Sequence, residues 1–165
     1  MTHNEPIGSW FAGRAARLPS NRQESKNMNN EKKRILVVDD EPSITRLLKL
    51  NLEQTGDYLV RTENHSGAAA AAAEEFHPDL ILLDVMMPGQ DGGALASAVH
   101  AQPANREVPI VFLTAAVTRE EVRTRNGVIG GQPFLAKPVN LHEVLACLER
   151  HLGSPSCAVW RHKHL

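Results

Sequence analysis

Five polar side chains follow directly on apolar runs, in four separate places. Asp39 and Asp40 close "RILVVDD", Asp84 closes "DLILLD", Thr114 closes "VFLT" and Lys137 closes "FLAK". If the runs are parallel strands, three carboxylates, a hydroxyl and an ammonium converge on one sheet edge, where open α/β sheets bind ligands. Crowded carboxylates repel one another and favour a hard divalent cation. Mg²⁺ suits such a site, keeping several waters and taking its other ligands from a few carboxylates and a phosphate; Mn²⁺ is the alternative occupant. The cation would also neutralise charge on an arriving phosphoryl group. A carboxylate can itself be the nucleophile and become an aspartyl phosphate. Asp84, alone at the end of the central run, is the residue best placed for that. Lys137 would meet a phosphate as a point charge, and the Thr114 hydroxyl would donate a hydrogen bond to a phosphate oxygen.

Each residue taken alone has an ordinary reading. Asp39–Asp40 would serve as a turn and helix cap, Asp84 as a cap for the loop after its strand, and Lys137 as a surface lysine; Thr114 alone says nothing. The chemical reading rests on all five standing at the same kind of strand end.

The elements that must position them are legible as alternating patterns. Strands are expected over 34–38, 58–62, 79–83, 108–113 and 134–136. Their continuous apolar runs suit a sheet covered on both faces. Helices are expected between and after them. Pro42 sits at a first helical position, where its missing N–H costs nothing; Ile44, Leu47, Leu48 and Leu52 then share a face, and Gly56 ends the helix. Residues 66–76 hold an alanine run of high helix propensity, and 91–102 a weaker helix opened by a glycine pair. Thr118–Glu121 and Asn140–Glu143 have capping-box spacing. The last helix puts Leu141, Val144, Leu145 and Leu148 on one stripe, and Gly153 stops it. Five strands alternating with five helices predict an α/β fold, a doubly wound parallel sheet with both faces covered.

The 165 residues suit one domain with tails. Residues 1–34 carry seven Lys/Arg against three Asp/Glu, and the remainder eleven against sixteen, so a basic leader precedes an acidic domain. Residues 1–32 are expected to be a poorly ordered extension, in which Trp10–Phe11 is a stray apolar pair rather than an anchor. Residues 33–152 form the domain, and 153–165 a tail whose His162 and His164 lack further metal ligands. The scattered basic residues of the leader make nucleic-acid binding a weak reading. Cys147 and Cys157 form no zinc-like spacing, and Cys147 reads as core filler. No apolar stretch approaches a membrane span and no apolar signal core opens the chain, so a cytoplasmic protein is expected.

"ILVVDDEP", "DLILLDVMMPGQDG", "VPIVFLTA" and "FLAKP", in this order and spacing, together resemble the receiver (CheY-like) domain of the response regulators of two-component signalling, over roughly residues 33–152. The resemblance implies a flavodoxin-like five-stranded sheet in strand order 2-1-3-4-5. It implies that Asp39 and Asp40 are the acidic pair at the metal, Asp84 the phosphorylated residue, and Met86 a ligand through its backbone carbonyl. It implies that Thr114 is the switch hydroxyl, Phe134 the switch aromatic and Lys137 the phosphate-binding lysine, and that the Lys137–Pro138 bond is cis. The implied partners are a sensor histidine kinase or histidine phosphotransfer protein and a downstream target of unknown identity. The surface of the fourth helix, fifth strand and fifth helix is the implied output and a candidate dimer face.

Two departures stand out. Gly130–Gly131–Gln132–Pro133 replaces the usual small–acidic run before the aromatic, which predicts a reshaped loop. Met86 and Ala116 stand where some relatives carry a polar side chain able to orient water, which predicts slow self-dephosphorylation. Residues 153–165 are too few for a DNA-binding domain or an enzyme, so a stand-alone receiver is expected. The rivals are a degenerate receiver that only binds protein, and a haloacid-dehalogenase-like phosphatase. The phosphatase wants a general acid two residues after its nucleophile; Met86 occupies that place. A nucleotide-binding domain would want a GxGxxG or GxxxxGK[ST] loop, which the chain lacks.

Overall fold

The computed structural model describes residues 31–116, 118, 120–121, 128–129 and 131–153. Five parallel strands form the sheet: β1 (Lys33–Val38), β2 (Tyr58–Glu63), β3 (Leu80–Asp84), β4 (Ile110–Thr114) and β5 (Gln132–Ala136). Their spatial order is β2-β1-β3-β4-β5. Helices α1 (Pro42–Gln54), α2 (Ser66–Phe76) and α3 (Gly92–His100) and a C-terminal helix (Leu141–Leu152) cover the two faces. Leading and trailing segments, with Trp10–Phe11, Cys157, His162 and His164, lie outside the described residues, as does most of the expected fourth helix. Its start is present: the Thr118 N–H donates to Glu121 Oε2 at 2.8 Å and the Glu121 N–H to Thr118 Oγ1 at 3.2 Å, a reciprocal capping box.

Side chains alternate across a strand, and here the alternation decides which layer each serves. Ile35, Val37, Leu80, Leu82, Val111, Leu113 and Leu135 pack with α1 and the C-terminal helix. Leu36, Val38, Ile81, Leu83, Ile110 and Phe112 pack with α2 and α3. β3 is central and enclosed on both sides; Leu80–Leu83 are at most 1 % exposed. Burying such a side chain contributes about 1.5–3 kcal/mol, so the apolar run on β3 anchors the sheet together with Ile35–Val38 of β1, which are as deeply buried.

Three local features differ from expectation. Leu47 does not join the buried stripe of α1 and is 53 % exposed, while Thr45 is buried beside Leu48 and Leu52. Thr45 can go inside because its hydroxyl has partners: it donates to the Pro42 carbonyl at 3.3 Å and accepts from the Asn64 amide at 3.1 Å. α3 is shorter than expected and is followed by a 3-10 turn at Pro103–Asn105. The glycine-rich departure is a hairpin rather than an open loop: Val128–Ile129 pairs antiparallel with Gln132–Pro133, adding a short sixth strand outside β5. Gly131 at the turn has φ +84°, a conformation that glycine adopts without strain.

At the opposite edge, β2 is not left bare. The Asp57 and Glu63 carbonyls accept from Lys33 and Asp39, so the odd-numbered residues of β2 turn their backbone groups toward β1 and Val60 points its own outward. Both are occupied. Glu53 Oε1 accepts the Val60 N–H at 3.1 Å, and Lys49 Nζ donates to the Val60 carbonyl at 2.6 Å. Lys49 and Glu53 are themselves paired at 3.3 Å, one helical turn apart on α1.

Candidate functional site

The parallel register brings the candidate side chains together. Val38 lies opposite Leu83, so the next residues, Asp39 and Asp84, emerge side by side. Leu113 lies opposite Leu135, and Lys137 follows Leu135 by two, so it shares the face of Asp39 and Asp84. Lys137 Nζ sits 2.8 Å from Asp39 Oδ2 and 3.3 Å from Asp84 Oδ2. All three side chains are largely enclosed: Asp39 is fully buried, Asp84 is 4 % exposed and Lys137 12 %.

Backbone amides hold the acids in place. The Glu41 N–H donates to Asp39 Oδ1 at 3.0 Å, and the Met86 N–H to Asp84 Oδ1 at 3.2 Å. Lys137 is fixed through its own N–H, which donates to the Thr114 carbonyl at 2.7 Å, and the peptide bond to Pro138 is cis. Burial raises the Asp39 carboxyl above its ordinary pKa and Asp84's charge adds to the rise, while Lys137 and the Glu41 amide oppose it. Burial pulls the Lys137 pKa down, yet the hydrogen bond and charge of Asp39, with those of Asp84, hold it above the usual lysine value. Lys137 therefore enters the site as a cation between two carboxyl groups.

Asp40 is exposed, and its carboxylate comes within 4.8 Å of those of Asp39 and Asp84. Three oxygen donors at this separation fit a hard cation that keeps part of its water shell, since two oxygens across Mg²⁺ are about 4 Å apart. Thr114 is buried at the end of β4, and its hydroxyl accepts from the Ala116 N–H at 3.0 Å. Phe134 lies half-buried on the opposite sheet face from Lys137, stacked on Phe112 with ring centroids 5.1 Å apart. Met86 is 66 % exposed. Asn140 caps the C-terminal helix through the His142 N–H at 2.9 Å, one position earlier than a capping box requires.

Two positioning features escape the list of strand-end residues. Gly92 opens α3 against the loop after β3, and a Cβ there would meet the Val85 Cα at 2.9 Å and the Asp84 carbonyl at 3.1 Å. Gly92→Ala should push this loop from the sheet, destabilising the protein by about 1–3 kcal/mol; thermal melting and Mg²⁺ titration check it, with both stability and cation affinity expected to fall. The second is Asn64 after β2, whose side-chain amide reaches the Asp39 carbonyl at 2.6 Å.

Comparison with known proteins gives the family of this fold. Residues 35–149 match the response regulator receiver domain, and the chain belongs to that family, a class of signalling modules. It is 33 % identical over 113 residues to the DNA-binding dual master transcriptional regulator RpaA of Synechocystis, covering 68 % of this chain and 46 % of that protein. It is 37 % identical over 114 residues to the phosphate regulon transcriptional regulatory protein PhoB of Klebsiella pneumoniae, covering 69 % and 49 %. The chain thus spans about half the length of these relatives. Among solved structures, it is similar to the chemotaxis protein CheY4 of Vibrio cholerae, with TM-score 0.62 and 32 % identity over 73 % of this chain and 98 % of that one. It is also similar to the receiver domain of the sensor histidine kinase PA1611 of Pseudomonas aeruginosa, solved with magnesium in its active-site cleft, with TM-score 0.62 and 30 % identity over 74 % and 99 %. Among the described residues no helix is long and apolar enough to cross a membrane.

Proposed function

We propose that Asp84 accepts a phosphoryl group from the phosphohistidine of a sensor histidine kinase or histidine phosphotransfer protein, and that this biases a protein-contact surface. The observation that carries the reading is the Lys137 ammonium set between the Asp39 and Asp84 carboxylates, with Asp40 within reach. Mg²⁺, or Mn²⁺ in its place, would be held by Asp39, Asp40, Asp84 and the Met86 carbonyl, and would supply charge neutralisation at the incoming phosphoryl oxygens.

The chain's own residues do the rest. An Asp84 carboxylate oxygen forms the new P–O bond as the donor's P–N bond breaks; the electron pair leaves with the imidazole nitrogen, which takes up a proton. Lys137 shifts its pairing from the Asp84 carboxylate to a phosphoryl oxygen. Thr114 turns its hydroxyl from the Ala116 amide toward the same group. Phe134, already against Phe112, moves into the space that Thr114 leaves. The two arrangements are a pre-existing equilibrium that the added charge biases.

A degenerate, phosphorylation-independent receiver is disfavoured by the intact grouping of Asp39, Asp40, Asp84 and Lys137. Phosphatase turnover is disfavoured by Met86, which cannot serve as general acid. The test is Mg²⁺-dependent adduct formation with beryllofluoride or a small phosphodonor, read by mass spectrometry and fluorescence. Absence of any adduct would leave only the binding-module reading. Since neither Met86 nor Ala116 can hold an attacking water, the purified phosphoprotein should keep its label for minutes or longer. Loss of label within seconds in a decay time course would show that another group activates water.

A further inference from the structure

We propose that Asn64 is a positioning residue for the acidic pair: its side-chain amide fixes the backbone that carries Asp39 and Asp40 in the geometry that a divalent cation requires. The inference rests on the proposed reading of the site. Asp39 is held at three points. Its carboxylate accepts from the Glu41 amide, its N–H donates to the Glu63 carbonyl at 3.1 Å, and its carbonyl accepts from Asn64 Nδ2 at 2.6 Å. The last bond bears on the peptide that joins Asp39 to Asp40, so it sets the direction in which Asp40, the exposed member, leaves the strand.

Asn64 is itself held firmly. A second bond runs from Nδ2 to Thr45 Oγ1 at 3.1 Å, and Thr45 is buried on α1. The carbonyl of Asp39 accepts only, which fixes the amide nitrogen rather than the oxygen on this side. The Glu63 carboxylate accepts the Asn64 and His65 amides, each at 2.9 Å, so the loop after β2 is tied to its own strand. β2, the first turn of α1 and the strand end of β1 therefore meet at one neutral side chain. Groups that orient metal ligands typically change cation affinity strongly when removed, without touching the cation.

Neutrality makes the test sharp, because removing Asn64 changes no charge. Mg²⁺ would be titrated calorimetrically into the full chain, well below its melting temperature, for wild type, Asn64→Ala, Thr45→Val and Val144→Ala. The expected result is about tenfold weaker Mg²⁺ binding in Asn64→Ala, and a smaller loss in Thr45→Val, which keeps the bond to Asp39 but loosens the amide. Val144→Ala removes buried contacts from the C-terminal helix and should lower the melting temperature with affinity unchanged. Affinity within twofold of wild type in both Asn64→Ala and Thr45→Val would overturn the proposal. So would an equal loss in Val144→Ala, which would mark a general effect of stability. If wild type itself takes up no Mg²⁺, the reading of the site fails first and this inference falls with it. Thr45→Val conserves shape and keeps the comparison available should Asn64→Ala not fold.

Discussion

Asp84→Asn will abolish the phosphoryl adduct while leaving the fold in place. The substitution keeps the shape and the oxygen that accepts the Met86 N–H at 3.2 Å. Lys137 keeps its shorter pairing with Asp39 at 2.8 Å. What disappears is the nucleophile: a neutral amide has no carboxylate oxygen to offer phosphorus, so accumulation of phosphoprotein should fall by orders of magnitude rather than by a fraction. Mass spectrometry after incubation with donor and Mg²⁺ reads the result directly, with circular dichroism as the check on folding. A folded Asp84→Asn protein that still gained a phosphoryl group would move the acceptor to another residue and end the assignment.

The second large effect belongs to Lys137→Met, and its size depends on conditions. Removing the ammonium leaves Asp39, fully buried, beside Asp84 with no cation between them. Stripping one partner from a buried ion pair costs about 3–5 kcal/mol. The Asp39 carboxyl is already raised by burial, and loss of Lys137 raises it further. A carboxyl whose folded-state pKa lies above its unfolded value favours folding at low pH, and that contribution is lost as pH rises through the folded pKa. The variant should therefore be most destabilised at pH 8 in chelator and recover toward wild type on acidification. It should recover as well when Mg²⁺ is added, because a divalent cation does for the carboxylates what the ammonium did. Melting curves at pH 5 and pH 8, with and without Mg²⁺, check this. A deficit that ignores both variables would mean that Lys137 acts through packing alone.

Much of this was legible in the sequence because the sheet is simple. Buried strands read as apolar runs, and alternation then predicts which polar residue at each end faces which way; β3 is displaced by one residue from its expected span, and the Asp84 side chain still lands beside Asp39. What was illegible follows from groups that carry no pattern. Thr45 took a buried place from Leu47 because two hydrogen bonds satisfied its hydroxyl, which hydrophobic periodicity does not weigh. Asn64 follows β2, whose polar end Arg61–Thr62–Glu63 gives no apolar run that would point to the next side chain, and a neutral amide adds no charge to draw notice. α2 ends on His77 in a left-handed conformation, φ 49°, its N–H donating to Ala73; glycine normally marks such a stop. Gly131 read as a mark of irregularity, and its positive φ equally suits a tight hairpin turn.

The paired Lys49 and Glu53 on α1 have a consequence for the protein in a crowded solution. A bare outer strand is an invitation for other chains to add themselves rung by rung. Here the middle rung of β2 is already taken by a helix reaching around to imitate a neighbouring strand. A newcomer would have to break an ion pair and two hydrogen bonds before its first central contact, so growth of the sheet from one molecule to the next is stopped at this margin by side chains of the molecule itself.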